Sequence, residues 1–235
     1  MQVFKKAVIV VLMLAVIATG LGIKTFYDAG EFKTITPHFN GQVETIAGVL
    51  SSEDITIHPP TAMAFISSDD RRAHWSRKNQ ARQGAIYGFD LKSGDPQLVN
   101  LTEDFSPELN PHGIGWWMAE NGDLSLFVVN HRREGHFVEI FDYRGGKLVH
   151  RQSLSGALMH SPKDVIPVGH VSFYVTNDHG NSTALGRAAE EYLQLARSYV
   201  LYYDGRTFRK VAESLAYSNG INLSQDAQSV YVAAT

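Results

Sequence analysis

Apolar residues reach this chain in short bursts, and most bursts are rich in β-branched and aromatic side chains. They fall at 61–67 (TAMAFIS), 84–91 (GAIYGFDL), 124–131 (LSLFVVNH), 137–143 (FVEIFDY), 172–179 (SFYVTNDH), 199–204 (YVLYYD) and 229–235 (SVYVAAT). Runs of this length bounded by turn residues predict strands, mostly antiparallel. KSGD (92–95), ENGD (120–123), YRGG (143–146) and YDGR (203–206) supply the tight connections, so hairpins are the expected unit. A different period appears from Thr183 to about Arg197. There Leu185, Ala188, Ala189, Tyr192, Leu193 and Ala196 share one face of a helix that is expected to cover part of the strands.

The first 30 residues stand apart. Lys5 and Lys6 precede the unbroken apolar run at 7–23, and the chain turns polar again at Lys24. That pattern fits a membrane anchor or a cleaved signal peptide, with the anchor preferred, and sends the rest of the chain across the membrane. The expected organisation is a targeting segment at 1–30 followed by one β-domain at 31–235.

Within that domain the tripeptides Ala64-Phe65-Ile66, Phe127-Val128-Val129, Phe173-Tyr174-Val175 and Val230-Tyr231-Val232 recur at intervals of roughly 45–65 residues. Such a period fits four-stranded propeller blades with variable loops, although a β-sandwich gives a similar strand list. About four blades are expected. The sequence stops in mid-strand, which leads us to expect a fragment or a truncated product rather than a closed ring, because open rings leave unpaired edges.

Composition narrows the chemistry. A net charge of −3 with scattered Lys and Arg carries no nucleic-acid footprint. With no cysteine there is no disulfide, thiolate nucleophile or thiolate-bound zinc, so oxygen and nitrogen groups must do the work. Glu53 and Asp54 adjoin before a strand, where consecutive side chains point opposite ways and could serve two separate sites. Asp164 in SPKDVIPVG, the NGIN loop from Asn219 and the NPHGI loop at 110–114 add carboxylates, carboxamides and turn carbonyls. Calcium takes such oxygens in irregular cages, while each residue taken singly also reads as an ordinary turn or cap.

The order SSEDITI with AFISS, NPHGI, LFVVNH, DVIPVG with FYVTNDH, YLQLARSYVLYY and NGINLSQDAQSVYVA resembles the paraoxonase and arylesterase family from about Gln42 to Thr235. The resemblance implies a six-bladed β-propeller with two calcium ions in its central tunnel, and hydrolysis of aryl esters and lactones. It implies Glu53 and Asn219 as ligands of the catalytic ion. Asp54, Asp164 and the carbonyl of Ile114 would hold the structural one. His112 is then the expected general base and His131 its support. The implied mechanism has calcium polarise the substrate carbonyl while His112 takes a proton from water.

Two departures accompany the resemblance. Lys163 stands where the pattern has an asparagine ligand, and an ammonium cannot ligate; it either swings away, weakens the site or stands in for some of the ion's charge. The later Asp-Asn ligand pair of the family lies beyond Thr235. A calcium-binding propeller without activity is therefore the competing expectation. Trp116-Trp117 reads as core, and Asp178-His179 as a loop near the tunnel.

Overall fold

Strands form where the sequence branches and alternates, and the computed structural model places them in four antiparallel sheets. It describes residues 2–75, 83–95 and 97–234, so Thr235, in the last expected strand, lies outside the described residues. The first sheet contains β1 (Ser52–His58), β2 (Met63–Ser68), β3 (Ala85–Asp90) and β4 (Val99–Asn100). The second contains β5 (Pro111–Met118), β6 (Leu124–Arg132), β7 (Gly135–Arg144) and β8 (Lys147–Leu154). The third contains β9 (Pro162–Pro167), β10 (Phe173–Asn177), β11 (Ser198–Tyr203) and β12 (Phe208–Leu215), and the fourth pairs β13 (Ser218–Leu223) with β14 (Val230–Ala234). Within each sheet the strands pair in chain order, and the four turn signals read from the sequence all join neighbouring strands.

The sheets stack face to face, which is why the second strand of a sheet reads as a continuous apolar run. On β6, Leu126 and Val128 pack into a core with Phe65, Ile86 and Ile114 of neighbouring strands. The alternate residues Phe127 and Val129 join Val165, Phe173, Val175 and Leu201 of the third sheet. All four β6 side chains are fully buried. The first strand of every sheet meets the first strand of the next, β1 beside β5, β5 beside β9 and β9 beside β13. This is the arrangement of consecutive propeller blades around an axis, with β1, β5, β9 and β13 innermost.

Two helices lie outside the sheets. α1 (Gln2–Asp28) extends beyond the apolar run and is long and apolar enough to cross a membrane, a test that a signal sequence also passes. A five-residue turn of helix, α2 (Arg71–Trp75), follows β2. α3 (Ala184–Leu193) is shorter than its sequence period suggests. Thr183 caps its start by accepting from Gly186 N–H, and Gln194, in the left-handed region with φ 51°, ends it. Its apolar stripe does not pack on the strands as expected, since Leu185 and Tyr192 are exposed. The helix is held instead by buried Glu190, which accepts from the amides of Gly180 and Asn181.

Candidate active site

Each innermost strand carries one extra residue at the same point. Ser52 and Ile55 of β1 face Ser68 and Ile66 of β2, so three steps on one strand match two on its partner. The same bulge falls between Pro111 and Ile114 of β5, between Pro162 and Val165 of β9, and between Ser218 and Ile221 of β13. Bulges of this kind bend a strand and re-aim its side chains. In sequence the four sites read SEDI, PHGI, PKDV and SNGI: serine or proline, a polar residue, Asp or Gly, then Ile or Val. Hydroxyls on the second strands fill two of the gaps, Ser67 Oγ accepting from Asp54 N–H and Thr176 Oγ1 from Asp164 N–H, each at 3.1 Å.

The third position alternates Asp54, Gly113, Asp164 and Gly220, and sterics require part of this alternation. A Cβ on Gly113 would stand 2.4 Å from Asp164 Cα and 2.5 Å from its Oδ1. With glycine there, both aspartates repeat one pattern. Asp54 accepts from its own following amide, Ile55 N–H, at 2.8 Å and from Ile114 N–H of the next sheet at 2.7 Å. Asp164 accepts from Val165 N–H at 2.7 Å and from Ile221 N–H of the next sheet at 2.8 Å. Burial pushes the Asp54 carboxyl above its ordinary value, against the two amides. Asp164 is pushed up to about 7, by burial first and then by the charge of Asp54, with the amides of Ile221 and Val165 opposing.

Two partly buried carboxylates, both pushed above their ordinary values and one of them by the charge of the other, are suited to a hard cation held between them, so these residues fit the structural calcium that the family resemblance implies. Among the described residues no three His, Cys, Asp or Glu side chains converge on one point, and main-chain oxygens would complete the shell. Ile114 is present at this spot, although the contact it makes with Asp54 is through its amide.

The second position holds Glu53, His112, Lys163 and Asn219. Glu53 Oε1 lies 2.7 Å from His112 Nε2, and its Oε2 lies 3.1 Å from Arg71 Nη2. Burial raises the Glu53 carboxyl, but His112 and Arg71 outweigh it and hold the group below its ordinary value. His112 Nδ1 meets His131 Nε2 at 3.0 Å. Burial lowers both imidazoles; Glu53 partly offsets this at His112, while the charges of His112 and His136 deepen it at His131. Both are therefore neutral bases at neutral pH. Lys163 does not swing away: its Nζ stands 3.4 Å from His112 Nε2 and 3.5 Å from Asp178 Oδ2, with the side chain 18% exposed. A cavity of about 400 Å³, lined in part by Arg71, Asn110, His112, His131, Arg132 and Lys163, opens over these groups.

This pocket does not fit a second divalent ion in the way the carboxylate pair fits the first. Its one carboxylate from the expected ligand set, Glu53, already faces His112 and a guanidinium, and an ammonium stands within the same group. Asn219 is exposed, and its carbonyl accepts from Thr176 Oγ1 at 2.6 Å. Asp178 belongs to the pocket through Lys163, and His179 Nδ1 lies 2.6 Å from Asp178 Oδ1. Trp116 and Trp117 pack against the two main cores. Two site residues escaped the sequence reading. Arg71 was visible only as half of a basic pair, and His136 sits opposite His131 across the β6–β7 hairpin, with their Nδ1 atoms 2.8 Å apart. The spacing in HRREGH, a two-residue turn between flanking pairs, is the signal that finds it.

The fold and pocket together define a propeller-type protein with a carboxylate pair, a lysine and His112 on its innermost strands and His131 beside them on β6. The chain belongs to the arylesterase family, whose profile matches residues 31–235. It is 36% identical to human serum paraoxonase/arylesterase 1 over 188 residues, covering 77% of this chain and 53% of that one. It is 35% identical to human serum paraoxonase/lactonase 3, covering 77% and 52%. The chain thus spans about half the length of the curated relatives it matches. A gluconolactonase from Xanthomonas campestris, a propeller, superposes with a TM-score of 0.55 at 12% identity, covering 82% of this chain and 58% of that one, which supports the fold alone.

Proposed function

We propose that this protein is a calcium-dependent hydrolase of aryl esters and lactones in which Lys163 supplies positive charge to the catalytic pocket. The observation that carries the reading is a neutral imidazole and an ammonium 3.4 Å apart at the edge of one cavity, His112 Nε2 and Lys163 Nζ. His112 takes a proton from water as the water attacks the ester carbonyl. The oxyanion that develops is stabilised by Lys163, and Arg71 adds to the positive potential of the pocket. Glu53 and His131 flank the two nitrogens of the His112 ring, at 2.7 Å and 3.0 Å, and fix its orientation. Calcium held by Asp54 and Asp164, with the Ile114 carbonyl, would neutralise the buried charge and tie the innermost strands together. Its effect on hydrolysis is thus exerted through the shape of the pocket. The apolar α1 helix supports placement at or beyond a membrane, by anchor or signal.

Phenyl acetate and a δ-lactone, assayed with calcium and with chelator, test the reading. Wild-type turnover is expected to need calcium, and His112→Gln should lower kcat by about 10²–10⁴-fold. No turnover by the folded, calcium-loaded protein, or full activity in His112→Gln, would favour the competing reading of a calcium-binding propeller without catalysis.

A further inference from the structure

The cavity beside the histidine pair is lined by charge. Among the described residues nine line it, and none is aliphatic or a Phe, Tyr or Trp. Four are cations, Arg71, Arg132, Arg133 and Lys163; two are acids, Asp69 and Glu108; the rest are Asn110 and the two histidines. Pockets for a neutral aryl or alkyl group are lined mainly by apolar and aromatic side chains. This one is built for something polar.

The cations reach the cavity while most of their counter-charges stay out of its lining. Arg71 meets Glu53 at 3.1 Å, Arg132 meets Glu139 at 2.5 Å and Lys163 meets Asp178 at 3.5 Å, yet none of these three carboxylates lines the cavity. Glu139 and Asp178 are buried. A ligand therefore meets the positive end of each pair first, and the low-dielectric walls focus that field. Arg132 is also fixed in place. Its Nη groups bond to Glu134, Glu139 and Ser153, its guanidinium lies 4.3 Å from the centre of the Phe137 ring, and its enclosed Nε meets no acceptor. It has little rotamer freedom to lose when an anion arrives. Arg133, in the β6–β7 turn, is 92% exposed, with its Nε 3.6 Å from Glu108. The two arginines directly follow His131, and consecutive Cα atoms are about 3.8 Å apart, so they stand within a small molecule's length of His112.

We propose that the substrate is a small lactone or ester carrying a carboxylate of its own, which Arg132 and Arg133 hold while its carbonyl lies against His112 and Lys163. A cavity of about 400 Å³ suits a molecule of that size. Water adds to the lactone carbonyl, the bond from carbonyl carbon to ring oxygen breaks, and the ring oxygen leaves as an alcohol. One lactone monocarboxylate and one water thus become one hydroxy-dicarboxylate and one proton. The product dianion meets the same cations with one more charge than the substrate.

The inference rests on the hydrolase reading, so its test has one arm that measures binding alone. In the kinetic arm the calcium-loaded protein is given 5-oxotetrahydrofuran-2-carboxylate and its carboxamide, which match in size and differ by one charge. The acid should be preferred in kcat/KM by about tenfold or more. Arg133→Gln should cut that preference by roughly three- to fivefold, as for one exposed charge pair, Arg133→Glu should abolish it, and Glu108→Gln should raise it. In the binding arm 2-hydroxyglutarate, the ring-opened product, should bind the wild type in calorimetry, more weakly as NaCl rises and more weakly in Arg133→Glu. Equal turnover of acid and amide, or a preference unchanged in Arg133→Glu, would overturn the inference and leave the hydrolase reading intact. Charge-dependent binding of 2-hydroxyglutarate with turnover of neither lactone would sink the hydrolase reading and leave the anion-selecting pocket standing.

Discussion

Glu53 and Asp54 are neighbours on β1, yet they live in opposite electrostatic worlds. Glu53 has Arg71 and His112 beside it and is held below its ordinary pKa, while Asp54 faces amides and another carboxylate and is pushed above it. The same split runs along β9, where Lys163 enters the cation-rich pocket and Asp164 enters the buried pair. The difference teaches that one bulged strand can separate two chemistries by a single residue. The pocket carries its own positive charge, and the carboxylate pair calls for one from solution.

The largest expected break in this comparison is a pH effect on the metal-free protein. Asp164 titrates at about 7 in the fold against its ordinary 3.8. Between those values the native state holds a proton that the unfolded state has released. Its contribution to stability is thus full below about pH 4, is lost as pH rises through about 7, and changes little beyond. The loss is on the order of 4 kcal/mol for a shift of this size. Urea unfolding in chelator should show stability falling across that window, calcium should flatten the slope, and Asp164→Asn should remove it. A slope of opposite sign in chelator would mean that the carboxylate pair is already compensated.

A smaller break is steric and sharpens why aspartate alternates with glycine. Gly113→Ala sets a methyl against the Asp164 backbone, which cannot move without parting β5 from β9, and should cost about 2–3 kcal/mol. The melting temperature should fall by roughly 5–10 °C for a chain of this size, and calcium should restore little of it. Gly220→Ala is the control, since its Cβ would lie 3.9 Å from Asp164 Oδ2 and meets only ordinary contact; it should cost under about 1 kcal/mol. Equal losses at both glycines would refute the close-approach account.

The contrast between strands also explains what the sequence disclosed. The seven expected strands are all present, and those of the first three sheets, buried between stacked neighbours, are apolar on both sides, as FVV on β6 is. Two of the innermost strands, NPHGI and NGIN, were read as loops, because they break the usual strand rules: proline at the start of one, glycine inside both and polar residues in sequence. They are strands nonetheless, since the bulge absorbs the irregular residue and the glycine admits the neighbouring aspartate. Residues on those strands were legible through the order of motifs, and the tetrapeptide repeat SEDI, PHGI, PKDV, SNGI would have placed them independently. Arg71 and His136 were not legible by motif, since one arrives from a short helix after β2 and the other by hairpin register. The exposed apolar face of α3 shows the reverse failure, a strong helical period whose stripe stays largely exposed while the helix is tied down through its own buried Glu190.

The smallest expected effect is also the most direct test of the pocket's built-in charge. Lys163 occupies the same bulge position as Glu53, His112 and Asn219, so replacing it with asparagine gives the position a neutral oxygen without disturbing the strand. Wild-type protein should bind one calcium by titration calorimetry, at the carboxylate pair, and Lys163→Asn should add a second, weaker site beside Glu53. The same change acts on the base. Burial is the main cause that lowers His112, and the Lys163 charge adds to it. Without the ammonium His112 keeps its proton to higher pH, so the acid limb of kcat/KM should move upward in Lys163→Asn and return toward wild type when calcium fills the new site. Two calcium ions in the wild type, or an acid limb that moves downward, would show that Lys163 is a bystander and that the pocket's positive charge comes from elsewhere.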